Sequence, residues 1–234
     1  MAEYDPYASE FSEQRAGASL NRLIEEPVVR ELVSNVDGVA VLDAGCGDGS
    51  YARWLAERGA TVRALDASEE LIAIAHEKNP HENIEYRVHD LREPLPFEDS
   101  SFGFVLSTLV TEYIEDLSAL FSEFSRVLAD GGALVLSCDH PLLSGIAKNE
   151  RGERVLTDYF ARNRRRYSWF GRTIEVFSHT LEDLMRSLIE AGFSIDDLRE
   201  PRPVSEAREE NPSLFGRADR IPTILVIRAV RQVR

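Results

Sequence analysis

Three aspartates carry the first chemical signal. Asp43, Asp66 and Asp90 each close, or nearly close, a short apolar run: VAVLDAG (39–45), TVRALDA (61–67) and IEYRVHD (84–90). A carboxylate there sits where open α/β sheets bind ligands, in the crevice beyond the carboxyl ends of the strands. The first run leads into DAGCGDGS (43–50), with Gly45, Gly47 and Gly49 at alternate positions. Glycines accept positive φ and let a ligand approach the backbone. A helix starting near Ser50 would offer N–H groups to a negative or polar ligand. Asp66 follows Asp43 at the roughly 20-residue spacing at which a carboxylate reaches ribose hydroxyls in a nucleotide-binding βαβ unit. Asp90 is placed to accept from an adenine amino group. The three acids predict one nucleotide-like ligand lying across three strands.

Holding them there requires a parallel sheet. Two further runs, FGFVLST (102–108) and ALVLSCD (133–139), continue the series between helical stretches. Near-continuous apolar strands alternating with helices predict a sheet covered on both faces. One helix spans 50–58 and stops at Gly59. Ser68 caps a second at 69–78, which ends before Pro80. A third, 117–128, carries Leu117, Leu120, Phe121, Phe124, Val127 and Leu128 on one stripe, followed by an Asp130-Gly131-Gly132 turn. Thr180 with Asp183 reads as a capping box opening a fourth helix, with Leu181, Leu184, Met185, Leu188 and Ile189 inward. Strand candidates 193–199 and 221–230, with no helix between them, read as an antiparallel hairpin at one sheet edge. Residues 141–179 break the alternation: polar, arginine-rich and aromatic, they read as an insertion or lid. Residues 1–34 read as an N-terminal helical segment, broken or restarted at Pro27. The whole of 1–234 is read as one domain.

Composition narrows the partners. Acidic residues number 41 against 27 basic ones, a net charge of −14, which repels nucleic acid and anionic membranes at long range. Lys78 and Lys148 are the only lysines; the other basic residues are arginine. This fits either adaptation to a salty cytoplasm (a halophilic chain) or a GC-rich genome. Cys46 and Cys138 are too few for a disulfide scaffold. The five histidines show no metal-binding spacing. No run approaches the ~18–20 apolar residues of a membrane span. The acidic N-terminus lacks an apolar signal region, so a cytoplasmic location is expected.

With these motifs in view, residues 36–140 resemble the class I S-adenosylmethionine-dependent methyltransferases of the type 11 small-molecule kind. The resemblance rests on DAGCGDG (43–49), LDAS (65–68), HDL (89–91), FGFVLST (102–108) and LADGGALVLS (128–137). It implies a single methyltransferase domain with a Rossmann-like doubly wound sheet of about seven strands. The order would be 3-2-1-4-5-7-6, strand 7 antiparallel, with helices on both faces. The implied cofactor is S-adenosyl-L-methionine. Asp43, Gly45 and Gly47 would face its methionine part, Asp66 with Ala67 the ribose, and Asp90 with the Leu91 backbone the adenine. Thr108 and Leu109 would border the sulfonium, and Tyr4 and Tyr7 would close the site.

The acceptor side is less specific. Methyl transfer from a sulfonium needs positioning and exclusion of water, with a base only if the acceptor must lose a proton. His140, in Asp139-His140-Pro141, is a candidate base or orienting group; it reads equally as a loop residue capping a strand. Tyr113 is a candidate at the methyl group, or a packed aromatic. RNRRRYSWFGR (162–172) places arginines beside Tyr167, Trp169 and Phe170, suited to an anionic or aromatic small-molecule acceptor or to a solvated face. Three rival functions stay open. An NAD-dependent oxidoreductase would also use an acid after strand 2, although G-x-G-x-G lacks the third glycine of the dinucleotide pattern. The others are a non-catalytic cofactor-binding or regulatory protein and an RNA methyltransferase.

Overall fold

A computed structural model of the chain describes residue 5 and residues 8–148, 150–151, 153–161, 164–169 and 172–233. Tyr4, Tyr7, Arg162 and Phe170 lie outside the described residues, as do the side chains of Tyr167, Trp169 and Arg172. In chain order the strands are β1 (Ala40–Ala44), β2 (Thr61–Asp66), β3 (Ile84–Val88), β4 (Phe102–Thr108), β5 (Leu128–Asp139), β6 (Ile146–Lys148), β7 (Arg154–Leu156), β8 (Arg164–Trp169), β9 (Arg172–Phe177), β10 (Phe193–Arg199) and β11 (Ile224–Arg231). The helices are α1 (Ala8–Ala16), α2 (Glu26–Leu32), α3 (Ser50–Ala56), α4 (Glu69–Lys78), α5 (Leu117–Val127), α6 (Leu181–Glu190), α7 (Ala207–Glu210) and α8 (Pro212–Ala218).

Seven strands form one sheet in the order β3-β2-β1-β4-β5-β11-β10. β1 to β5 run parallel, while β11 is antiparallel to both β5 and β10. This is the expected order, with β10 and β11 as its sixth and seventh strands. Successive side chains of a strand point to opposite faces, and both faces are covered. Val41, Phe104 and Leu106 pack with α2, α3 and α8, through Val29, Leu55 and Leu214 among others. Leu42, Val105 and Leu136 pack with α5 and α6, through Phe121, Phe124, Leu184 and Leu188. Burying a phenylalanine such as Phe121 or Phe124 contributes about 1.5–3 kcal/mol. Two covered faces are why the runs read VAVL and FVL without polar alternation.

Local signals set the element ends. Ser68 Oγ accepts the Leu71 N–H at 3.1 Å and opens α4. Thr180 and Asp183 exchange hydrogen bonds at 3.0 and 3.1 Å as a capping box for α6. In α6, however, only Leu184 and Leu188 are buried; Leu181 and Ile189 are exposed. Ile189 is five residues past Leu184, about 140° around the helix, and so points away from the sheet. The Asp130-Gly131-Gly132 turn lies inside β5, as a register shift against Phe102 and Phe104. Between β10 and β11 stand α7 and α8, which the sequence reading omitted. Asn211 caps α8 by accepting the Leu214 N–H at 3.1 Å, with Pro212 in its first turn.

The N-terminal stretch holds α1, a π-turn at Asn21–Glu25 and α2. Pro27, which has no N–H to donate, sits in the first turn of α2. Among the described residues of 141–179, no strand joins the large sheet: β6 pairs with β7, and β8 with β9, as separate hairpins. Ile174 and Val176 of β9 are buried and pack against Tyr113. Among the described residues no helix is long and apolar enough to cross a membrane.

Candidate functional site

At the carboxyl ends of β1 to β5 lies a cleft of about 340 Å³, within the size range of small-molecule sites. Its wall includes Gly45, Gly47, Asp66, Ala67, Asp90, Leu91, Thr108, Leu109 and Tyr113. Most residues singled out from sequence are thus brought together. Asp43 is not in the wall. It is fully buried beneath the glycine loop, and no hydrogen bond of good geometry reaches its carboxylate oxygens. Burial raises its pKa to about 7, opposed by Arg15 and assisted by Asp66.

The glycine loop follows from the space around it. Gly45 has φ +84° and Gly47 φ +55°, conformations that other residues rarely adopt. A Cβ on Gly45 would stand 2.2 Å from Val110 Cγ2. The loop's amides at positions 45, 46, 47, 49 and 50 are engaged within the protein. Gly45 and Cys46 both donate to the Leu65 carbonyl at 2.8 and 2.9 Å, and Gly49 donates to Cys46. Gly47 donates to Asp66 Oδ2 at 2.9 Å, and Ser50 to Asp48 Oδ1 at 3.2 Å. Tertiary neighbours consume the groups that would otherwise cradle an anion.

Asp66 holds its position by accepting Gly47 N–H on one oxygen and Ser68 N–H on the other, both at 2.9 Å. Burial raises its pKa, and those two amides pull the other way. Each oxygen keeps a lone pair for a ligand. Asp90 is engaged differently. Arg92 grips both its oxygens through the guanidinium, at 2.6–3.0 Å, and adds its own N–H, which lowers the Asp90 pKa. Any donor of a ligand must share this carboxylate with Arg92. Leu109 adopts φ +55°, a left-handed conformation that costs a non-glycine residue about 1–3 kcal/mol and is held by its surroundings.

Helix α1 supplies a side of the cleft that was not anticipated. Phe11, Gln14 and Arg15 enter its wall. Ser12 Oγ donates to Asp48 Oδ2 at 2.9 Å, tying α1 to the glycine loop. Arg15 is buried, 3.9 Å from Asp48, with its guanidinium 4.8 Å from the centre of the Tyr51 ring. The four-residue spacing of Phe11 and Arg15 puts both on one helical face; this is the signal that could have found them.

Beyond β4 and β5 the cleft is walled by Glu112, Tyr113 and Asp139. His140 is absent from that wall and lines a small adjoining cavity of about 30 Å³. Its Nδ1 accepts the Leu142 N–H at 3.2 Å, capping the turn at Pro141–Gly145, and its Nε2 lies 3.0 Å from Glu200. In the Asp139-His140-Pro141 segment the structure therefore turns the aspartate, not the histidine, toward the cleft. Among its described residues the arginine segment forms no continuous basic surface. Arg164 and Arg166 pair with Glu175, and Arg165 donates to the Leu143 carbonyl and faces Asp139.

The residues present fit the implied cofactor. Gly45 and Gly47 of the loop line the cleft without side chains, Asp66 has free acceptor capacity, and the acids of the wall suit a cationic sulfonium. The profile of the family described as "Methyltransferase domain" matches residues 42–136. A solved S-adenosylmethionine-dependent methyltransferase from Mesorhizobium loti is 30% identical, with a TM-score of 0.78, covering 88% of this chain and 97% of its own. A Listeria monocytogenes structure assigned to the same class has a TM-score of 0.81 at 24% identity, covering 89% of this chain and 97% of its own. A malonyl-[acyl-carrier protein] O-methyltransferase of Serratia marcescens is 33% identical over 122 residues, 52% of this chain. The match spans 46% of that relative's length. Sheet order, glycine loop and identity along nearly the whole Mesorhizobium loti chain converge: this chain belongs to the S-adenosylmethionine-dependent methyltransferases, and its cofactor is S-adenosyl-L-methionine.

Proposed function

We propose that the protein transfers the cofactor's methyl group to a small-molecule acceptor entering the cleft beside Tyr113. The observation that carries this reading is the cleft itself. It runs from the ribose-type carboxylate Asp66, past the glycine loop, to a second group of polar side chains beyond β4 and β5. When bound, S-adenosyl-L-methionine supplies an activated methyl group with a neutral sulfide as leaving group. The chain's own residues bind, orient and exclude water. Asp66 takes the ribose hydroxyls, with Ala67 beside it; Asp90 and Leu91 border the adenine. Gly45 and Gly47 face the methionine part. Arg15, the buried cation of the wall, takes the methionine carboxylate. Thr108 and Leu109 line the sulfonium end, and Tyr113 presents a flat face suited to an aromatic acceptor.

Residues 141–179 are read as a cover for the acceptor end. Support comes from the packing of Ile174 and Val176 on Tyr113 and from Arg165 beside Asp139. An anionic acceptor has less support, because Arg165 is already opposed by Asp139. An NAD-dependent role is disfavoured by the glycine loop, whose engaged amides leave little to bind a pyrophosphate. Calorimetry with S-adenosyl-L-methionine, its demethylated product and NAD tests the reading. The first two should bind and NAD should not; preferential binding of NAD would overturn it.

A further inference from the structure

We propose that Asp139, paired with Glu112, is the proton acceptor of the methyl transfer, and that the acceptor is a nucleophile carrying an O–H or N–H. The inference rests on reading the cleft as the S-adenosyl-L-methionine site. Asp139 ends β5, and Glu112 lies in the short 3-10 turn after β4. Those strands are parallel neighbours, with Thr108 opposite Ser137, so both acids emerge at the same sheet edge. They share the wall of the main cleft and that of the small cavity behind it. Asp139 is open to the cleft. Glu112 is more enclosed, and its Oε2 touches no hydrogen-bond donor.

Two carboxylates in one low-dielectric pocket do not both ionise easily, so the pair favours holding one proton between them. The neighbours decide where it sits. Arg165 of β8 and Arg217 of α8 face Asp139 and favour its charged form. Glu112 has Asp139 and Glu25 as charged neighbours, both acids. The proton therefore resides on Glu112 and the charge on Asp139. The other titratable groups nearby are otherwise engaged. Cys138 is buried, and its thiol is pushed up by burial and by both acids. His179 Nε2 bonds the Ile114 carbonyl at 2.8 Å, and His140 is bonded to Glu200 and Leu142.

Burial and the neighbouring Asp139 hold Glu112 above the usual carboxylate range; Asp139, although exposed at the cleft, is raised by loss of water around its carboxyl despite the arginines beside it. A carboxylate so placed is a stronger base near neutral pH than an ordinary one. The reaction balances simply. The oxygen or nitrogen lone pair of the acceptor forms a bond to the methyl carbon, the carbon–sulfur pair leaves with sulfur, and the acceptor's proton passes to Asp139. An acceptor that arrives as an anion needs no such base and would be repelled by the acids.

Two measurements test this. In the first, aspartate and glutamate side-chain carboxyls are labelled with carbon-13 in protein saturated with S-adenosylhomocysteine, and the two signals are assigned by their loss in Asp139→Asn and Glu112→Gln. Glu112 should titrate above the ordinary carboxylate range, after Asp139, and fall back toward it in Asp139→Asn. An ordinary Glu112 titration in the wild type, or no response to Asp139→Asn, overturns the pairing. The second measures turnover on catechol and benzylamine. Asp139→Asn should lower kcat ~100-fold or more, with the S-adenosyl-L-methionine Kd within about twofold of wild type, and Asp139→Glu should restore part of the rate. Wild-type kcat in Asp139→Asn overturns the base assignment. Failure of the cofactor-binding wild type to methylate either probe overturns the acceptor class. A wild type that fails to bind S-adenosyl-L-methionine strikes the cleft reading itself, and this inference with it.

Discussion

Replacing Asp66 by alanine separates its two tasks. Its oxygens accept the Gly47 and Ser68 amides, each at 2.9 Å, and each has one lone pair left for a ribose hydroxyl. A hydrogen bond to a charged group contributes about 1.5–3 kcal/mol. Losing the ribose contact should therefore weaken S-adenosyl-L-methionine roughly ten- to a hundredfold. The two amides lose their acceptor as well. Gly47 and Ser68 are both buried, so each unpaired amide should cost about 1–3 kcal/mol. For a chain of this size that lowers Tm by a few degrees, roughly 2–4 °C per kcal/mol. Asp66→Asn, which keeps one acceptor oxygen, should fall between wild type and alanine in both readouts. Titration calorimetry gives the Kd and thermal denaturation the Tm. A folded Asp66→Ala protein that binds the cofactor within twofold of wild type refutes the ribose assignment. An unchanged Tm refutes the structural role of the two amide bonds.

Asp43 makes stability pH-dependent. Its folded pKa is raised from 3.8 to about 7, so the native state holds an extra proton and stability should fall as pH rises between about 4 and 7. The window amounts to on the order of 4 kcal/mol at about 1.36 kcal/mol per pH unit. Asp43→Asn should flatten that slope in denaturant titrations at successive pH values, and an unchanged slope counts against burial as the source of the raised pKa. Gly45→Ala forces a Cβ to 2.2 Å from Val110 Cγ2 at φ +84°. It should lower stability by about 1–3 kcal/mol and weaken cofactor binding. Adding Val110→Ala should recover the steric part but not the backbone part, as read by Tm and calorimetry. Thr180→Ala removes the capping box of α6 at about 1 kcal/mol and should leave cofactor affinity unchanged.

Much of this was legible in the chain because burial on two faces leaves little freedom of composition. A strand such as β4 must be apolar at consecutive positions, and its end must then carry whatever chemistry the sheet edge performs. Asp66 and the loop glycines were readable for that reason. What escaped depended on neighbours distant in sequence. A glycine loop looks the same whether its amides face a ligand or the carbonyl of Leu65, and only the placement of β2 decides. Glu112 and Asp139 meet through the register of β4 and β5, which no local pattern records. His140 drew attention by its neutral-range titration, yet a bond from the Leu142 amide turns it into a cap. Helices α7 and α8 are too short for periodicity to show, although Asn211-Pro212 is a helix start. Arg15 reads as an ordinary surface residue of a polar helix until Asp48 and Tyr51 enclose it.

Electrostatics then explains why this nucleotide-type crevice suits a cationic cofactor. In a site built for pyrophosphate the glycine-loop amides point at the ligand and its negative charge is met by the helix N-terminus. Here Asp66 itself takes the Gly47 amide and Asp48 the Ser50 amide, so two carboxylates stand where an anion would need donors. Asp139 adds a further carboxylate toward the far end of the cleft, while Asp90 is paired with Arg92. A pyrophosphate would meet this row with few free donors to offset the repulsion. A sulfonium and an ammonium meet it favourably, in a cavity where charges interact more strongly than in water. The single carboxylate of S-adenosyl-L-methionine needs one cation, and Arg15 is buried in the wall beside the loop. In the proposed placement, acids of the wall face the cationic end of the cofactor and Arg15 faces its carboxylate.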